Sequence, residues 1–235
     1  MPRIAAVKAA LLLTLAGPAS AVVSVDTDLS RAPQAKALAS RAQQLVAEWG
    51  PRVNTLLYGP RRGATLERVR IVFEPAARED GALSYVREGV IHLTAGTAPA
   101  QAETLLIHDL THLYQHDLPE GKWLLEGIAD YVSHVQFAKD LGPRLRLDAD
   151  GHLSGYSASQ PFFYWLQENR VDLRQRGYLA GNEVTASFLH WIVLNKDKDI
   201  IRRLASAIRD DKYSEAVWAE ASGESLDRLW QQFIQ

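Results

Sequence analysis

Two histidines one helical turn apart are the residues of this sequence whose types and spacing best suit chemistry. The segment IHDLTHLYQHD places His108 and His112 at positions i and i+4, so on a helix both imidazoles leave the same face. Two neutral imidazoles in that arrangement can bind one divalent cation. Asp109 occupies the acidic position of the H-E-x-x-H pattern, where a carboxylate takes a proton from the attacking water and returns it to the leaving amine. The segment therefore predicts a metal site with Asp109 as its catalytic base.

The residues around this pair favour a metal site over two exposed histidines. Apolar side chains surround much of the helix and predict that it is buried: Leu105, Leu106, Ile107, Leu110 and Leu113. Buried imidazole and carboxyl groups without partners would cost several kcal/mol, and a cation is a suitable partner. A pair of exposed histidines on a helix face would have the same spacing, so this segment alone leaves that alternative open.

A second segment, WLLEGIADYV, supplies the remaining groups. Glu126 follows His112 by 14 residues and lies on the next predicted helix. Helices joined by so short a connection pack antiparallel, which brings Glu126 back towards the histidines as a third ligand. Asp130, one turn later, is predicted to accept the free N–H of a ligand histidine. Gly127 is predicted to let the helices approach closely. The alternatives are that Glu126 caps its helix and that Asp130 pairs with an arginine.

The other histidines are predicted to be structural or exposed. One straight helix cannot aim three histidines that span two turns at one ion, which excludes the third histidine of the first segment. That third histidine is His116. The others expected to be structural or exposed are His92, which lies in a predicted strand, and His134, His152 and His190.

The wider pattern predicts an α+β fold, with a small N-terminal β-sheet followed by a mostly helical half. Strands are predicted at 69–74 and 90–93, with Tyr85-Val86 beginning a hairpin partner. A first helix is predicted at 33–49, ending at Gly50-Pro51, with a further stretch at 54–58 as its extension. Further helices are predicted from the N-cap Thr97 to about His116, and at 123–139, 183–195, 198–210 and 225–234. Segment 140–180 is predicted to be irregular and contains an aromatic cluster at 162–165.

The N-terminus has the pattern of a secretory signal peptide. Arg3 and Lys8 precede an apolar run at 9–15, and a small-x-small cleavage pattern ends at Ala21. We therefore expect residues 1–21 to be removed and 22–235 to form a single domain, exported to a periplasm or the cell exterior. No later apolar segment is long enough to predict an integral membrane span.

The amino-acid composition limits the classes of binding partner and the residue types that can hold a metal. The chain has 26 Lys and Arg against 28 Asp and Glu, so it offers no basic surplus for nucleic acid or an anionic membrane. Cysteine is absent from the sequence, which excludes disulfides, iron–sulfur clusters and thiolate zinc sites. Any metal must therefore be held by His, Asp and Glu.

At these segments the chain resembles the plant basic secretory protein family, a group of zincin-type peptidases also found in bacteria. HDLTHLYQ stands where that family has H-E-M-T-H-x-x-Q, and LLEGIADYV matches its L-I-E-G-I-A-D-Y-V. VRIVFE, VIHLT, GNEVTASFLHW and SGESLDRLWQQF resemble further family motifs. The resemblance implies a zincin-like metallopeptidase domain that hydrolyses peptides, with one zinc ion held by His108, His112 and Glu126.

Two departures from the family pattern give a second hypothesis. Asp109 replaces the family's glutamate base and is one methylene shorter, and Asn182 replaces a tyrosine. If that tyrosine stabilises the oxyanion, the role falls to Tyr178 or Tyr156. The chain is thus expected to be either an active zinc peptidase or a catalytically impaired zinc-binding or interaction module. If the chain is an active peptidase, the strand at 90–93 is expected to lie along the cleft and to pair with an extended peptide.

Overall fold

The computed structural model describes residues 23–60, 66–139, 146–147, 153–154 and 173–235, with the backbone alone for 146–147, 153–154 and Asn182. Several sequence predictions lie outside these residues: the signal peptide at 1–21, His152, Tyr156 and the aromatic cluster at 162–165.

A four-stranded sheet forms the N-terminal part of the described chain, in the order β1-β2-β4-β3. Its strands are β1 (Ser24–Asp28), β2 (Arg68–Glu74), β3 (Ser84–Arg87) and β4 (Val90–Thr94). β2 is parallel to β1 and to β4, whereas β3 is antiparallel to β4. The predicted strands match β2 and β4 to within a residue. β1 was not predicted, because SVDTD lacks the apolar alternation that identifies a half-buried strand.

The hairpin of β3 and β4 changes the prediction about the sheet edge. Glu88 and Gly89 join the two strands with φ of 52° and 74°, which suits a tight two-residue hairpin turn. β4 therefore lies between β2 and β3, and β3 is the edge strand on this side of the sheet, with β1 at the opposite edge. The expectation that the strand at 90–93 pairs with a peptide as an edge strand is wrong, since its own hairpin partner occupies that side.

Helix α1 (Lys36–Tyr58) continues through the point where the sequence predicts its end. Gly50 and Pro51 lie inside the helix, although proline removes a backbone donor and costs about 3 kcal/mol in a helix interior. Val46 and Val53 are both fully buried on either side of the proline. Continuous burial of one apolar stripe on both sides outweighs the local preference to end the helix.

Helix α2 (Pro99–Tyr114) follows the sheet and packs against α1, β3 and β4. Its N-cap is Ala98 rather than Thr97, and it ends before His116. Helix α3 (Lys122–Asp130) continues directly as a π-helical segment, Tyr131–Ala138. Together these two cover the helix predicted at 123–139.

The C-terminal part is helical. Its helices are α4 (Asn182–Asn195), α5 (Ile200–Arg209), α6 (Ala216–Ser222) and α7 (Leu226–Phe233), with a 3-10 turn at Gly177–Ala180. The short helix α6 was not predicted. Within the segment predicted to be irregular, Arg146–Leu147 pairs with Leu153–Ser154 as a small hairpin of strands β5 and β6.

The predicted α+β class is confirmed: a small sheet precedes a helical half, and the described residues share a hydrophobic core. That core supports the prediction of one domain, which stays a prediction. Among the described helices, none combines the length and apolar character needed to cross a membrane.

Candidate metal centre

Three candidate ligand groups converge where α2 and α3 face each other. Nε2 of His108 and Nε2 of His112 lie 3.0 Å apart. Oε2 of Glu126 lies 3.3 Å from the first nitrogen and 3.6 Å from the second. One ligand atom from each of the three residues falls within 4.8 Å of the others, a spacing that can hold one metal ion.

The other nitrogen of each imidazole faces a hydrogen-bond acceptor. Nδ1 of His108 lies 2.6 Å from Oδ1 of Asp130, and Nδ1 of His112 lies 2.7 Å from Oε1 of Gln115. From these partners we assign the proton of each neutral imidazole to Nδ1, which leaves a lone pair on each Nε2.

The resulting cluster needs a positive charge. Two nitrogen lone pairs and a carboxylate oxygen face one another, and such electron-rich atoms repel unless a proton or a cation lies between them. A set of two imidazoles and one carboxylate matches the protein ligands of a catalytic zinc site. The donor chemistry of these residues therefore fits zinc.

The pKa values of the metal-free cluster also indicate that it favours a positive charge. Burial by itself would lower the pKa of His108, but the charge and hydrogen bond of Asp130, with help from Glu126, raise it to about 10. Burial would raise the pKa of Glu126, but hydrogen bonds and positive charge from His108 and His112, when these imidazoles carry a second proton, hold it far below its usual range. The site thus stabilises positive charge at the point where the three ligand groups meet.

Asp109 is buried beside this cluster, with only 3% of its surface exposed. Burial raises the pKa of its carboxyl group, while the charge of His108 and a hydrogen bond with Ser84 act in the opposite direction. Its Oδ2 atom is buried and has no hydrogen-bond partner among the described residues. One oxygen of this buried carboxyl group is thus left without a partner in the described part of the chain.

Helix α3 is held in place by an unusually close contact at Gly127. A Cβ atom at this position would lie 2.2 Å from Cγ2 of Thr185 on α4. The expected close approach exists, but its partner is α4 and not α2. Thr185 in turn donates from Oγ1 to the carbonyl of Tyr178 at 2.8 Å. The residue next to Glu126 is therefore packed tightly against α4.

The cluster lies in a cleft of about 600 Å³ between the β3 edge and helices α2 and α3. Several residues that line the cleft have no site role predicted from the sequence: Arg78, Ser84, Tyr85, Lys122, His134 and Glu183. For Ser84 and Tyr85 the available signal was the predicted hairpin, which places them one strand away from β4.

Of the two tyrosines predicted as oxyanion stabilisers, Tyr178 lies within the described residues, and it is not brought to the cleft. Tyr178 is almost fully buried, and its hydroxyl donates to Oδ1 of Asp227 at 2.6 Å. It packs against Trp123 and Trp230 and is not among the residues that line the cleft. Among the histidines set aside, His116 is exposed, and His92 pairs with Glu74, its Nδ1 2.9 Å from Oε1. His190 also lies away from the cleft lining, whereas His134 forms part of it.

Comparison with protein families identifies the class. A family model described as "Peptidase of plants and bacteria" matches residues 79–176 and 174–233. These ranges cover more than half of the chain and include both segments of the cluster, so the chain belongs to this peptidase family. This confirms the resemblance to the basic secretory protein family. No curated protein sequence matches the chain.

Among solved structures, the chain is similar to an M1 zinc metallopeptidase from Deinococcus radiodurans, a mutant bound to a Tyr-Ser-Ala substrate. The identity is 17% and the TM-score is 0.46, with 82% of this chain covered. This chain spans 43% of the length of that structure. A likeness of this size supports no conclusion about activity.

Proposed function

We propose that this protein is a zinc-dependent peptidase, with one zinc ion held by His108, His112 and Glu126. The observation that carries the proposal is the convergence of three lone-pair donors, two of them imidazoles whose tautomers follow from neighbouring acceptors. Membership of a peptidase family supports peptides or proteins as substrates. When bound, zinc would polarise the scissile carbonyl and acidify the attacking water.

Asp109 is the general base of this proposal. Asp109 lines the cleft, and its Oδ2 atom lacks a partner within the described residues. This carboxyl group would accept the proton of the attacking water and then return it to the leaving amine. Burial raises the pKa of the carboxyl group, which strengthens it as a base. General acid–base catalysis of this kind contributes roughly 10²–10⁴ in rate.

The substrate is proposed to bind as an extended peptide along β3. The backbone of an edge strand has free hydrogen-bonding groups that can pair with an added strand. Ser84, Tyr85 and Val86 line the cleft that contains the cluster. A peptide paired with this strand would therefore pass the candidate zinc ligands.

A second candidate is a zincin-like module that binds zinc but has lost catalysis. Two observations favour it. Asp109 has a shorter side chain than glutamate, and the hydroxyl of Tyr178 is engaged by Asp227 away from the cleft. We also propose that the protein is exported, to a periplasm or outside the cell, which the pattern of residues 1–21 supports.

Zinc content and peptide cleavage by the purified chain from residue 22 onward test these proposals. The peptidase hypothesis expects about one zinc per chain and cleavage that a chelator abolishes. His108→Ala should lose both, whereas His116→Ala, an exposed histidine just beyond the same helix, should keep both. Absence of zinc from the natural protein would exclude both candidates.

Variants of the proposed base separate the two candidates. Asp109→Asn should abolish cleavage with zinc retained, and Asp117→Asn serves as the exposed control. A natural protein that binds zinc without cleaving peptides, together with an active Asp109→Glu variant, would identify the impaired module.

A further inference from the structure

Gln115 lies immediately after α2, and its side-chain amide contacts both helices of the cluster. Its Oε1 atom lies 2.7 Å from Nδ1 of His112, and its Nε2 atom donates to the carbonyl of Leu125 at 2.9 Å. Leu125 directly precedes Glu126 in the chain. One side chain therefore connects a histidine of α2 to the backbone beside the carboxylate of α3.

We propose that Gln115 is a positioning residue of the metal centre. It holds His112 as the Nδ1–H tautomer and sets the distance between His112 and Glu126. The role in zinc binding rests on the proposed function, whereas the role in fixing the tautomer belongs to the metal-free protein as well.

The chemistry of both contacts requires an amide. The Leu125 carbonyl can only accept, so the amide nitrogen must face it and the amide oxygen must face His112. Nδ1 of His112 must then donate, which directs the lone pair of Nε2 towards His108 and Glu126. A carboxylate would accept from His112 but could not donate to Leu125.

The backbone from which Gln115 projects is also held. The hydroxyl of Tyr58 on α1 donates to the carbonyl of Tyr114 at 2.6 Å, and both tyrosines are buried. The end of α2 is thus tied to α1 one residue before the amide. Gln115 begins from a restrained position, which lets a flexible side chain act as a spacer.

Charge gives a further reason for a neutral group at this position. The cleft is already lined by four carboxyl groups, those of Asp109, Glu126, Asp130 and Glu183. An amide orients His112 without adding another negative group to the cleft. The two histidines thus have different partners: His108 a carboxylate and His112 an amide.

The test uses the near-isosteric variant Gln115→Met, which keeps side-chain length but loses both hydrogen bonds. The ¹⁵N NMR shifts of the His112 imidazole in the metal-free protein report its tautomer, and competition with a chelator reports the zinc Kd. We expect loss of the Nδ1–H preference and zinc binding weakened about 10- to 100-fold, as for other groups that orient metal ligands. Gln136→Met is the control, since Gln136 is a partly buried glutamine that donates to Tyr131 and does not line the cleft.

A second variant separates positioning from general destabilisation. Gln115→Glu keeps an acceptor for His112 and loses the donor to Leu125, so it should retain the tautomer while its Tm falls. An unchanged His112 tautomer in Gln115→Met overturns the proposal, whatever its zinc affinity. If the natural protein binds no zinc, the proposed function fails, but the tautomer measurement still decides the role of Gln115.

Discussion

Oδ1 of Asp130 lies 2.6 Å from Nδ1 of His108, and Asp130 is one helical turn after Glu126 on α3. Helix α3 therefore presents two carboxylates to the same imidazole, one at each ring nitrogen. Asp130 is itself buried, so its charge is poorly screened by water. The packing of α2, which carries His108, against α3 therefore determines the direction of the His108 lone pair. It also determines where the third candidate ligand, Glu126, lies.

Replacing Asp130 should weaken metal binding without removing a ligand. Asp130→Asn leaves an oxygen that can accept from His108 but removes the charge, and Asp130→Ala removes both. Loss of a residue that orients a metal ligand typically weakens metal affinity by about 10- to 100-fold. We therefore expect Asp130→Asn near the lower end of that range and Asp130→Ala near the upper end. Chelator competition measures the affinities, and Asp117→Asn, at an exposed position, should match the natural protein. Unchanged affinity in Asp130→Ala would show that Asp130 does not orient the ligand.

The metal-free protein should lose stability as the pH rises. The pKa of His108 is raised from its usual 6.5 to about 10 in the folded state. The bound proton therefore stabilises the folded state fully below about 6.5, and this contribution disappears as the pH approaches 10. Urea unfolding of the metal-free protein across this range should give a falling free energy of unfolding, and the fall should be smaller in His108→Gln. A flat profile in the natural protein would contradict the raised pKa.

Zinc binding should release a proton over the same pH range. A metal ion and a proton compete for Nε2 of His108, so zinc affinity should increase with pH up to about 10. Calorimetry in two buffers with different ionisation enthalpies counts the protons released. In Asp130→Asn, where the main charge that raises the pKa is absent, fewer protons should be released near neutral pH.

Gly127→Ala should destabilise the protein and disturb the cluster. The added Cβ would lie 2.2 Å from Cγ2 and 2.4 Å from Cβ of Thr185, so helix α3 or α4 must move. Overpacking of this kind costs about 1–3 kcal/mol, and displacement of Glu126 should also weaken zinc binding. The matched control is Gly96→Ala, where nothing lies within 4 Å of the new atom. Urea midpoints for the two variants give the comparison, and equal midpoints would contradict tight packing at Gly127.

Chelation should lower the Tm of the zinc-loaded protein. A ligand that binds only the folded state adds roughly 2.7 kcal/mol at a free concentration 100 times its Kd. His112→Ala should show almost no chelator effect, because it lacks one of the three proposed ligands. His116→Ala should respond like the natural protein, since that exposed histidine lies outside the cluster. A chelator effect that persists in His112→Ala would place the stabilising ion elsewhere.

The candidate ligands could be predicted because their signal is local. The separation of His108 and His112 matches the period of a helix, and the short connection to the next helix leaves few ways to place Glu126. The α+β class and most helices could be predicted for the same reason, since their apolar periodicity extends over a few turns. These features depend on residues close together in the sequence.

Only the tertiary structure decided the contacts between segments that are far apart in the sequence. β3, and not β4, is an edge strand of the described sheet, because strand order depends on which strands pair across the whole sheet. Gly127 contacts Thr185, Tyr178 turns towards Asp227, and α1 continues past Pro51, since buried surfaces that meet in space outweigh local preferences. The sequence by itself therefore determined which residues can form the cluster. The packing of α2 on α3 decided their tautomers, their charge and the opening of the cleft, because these depend on atoms brought together by folding.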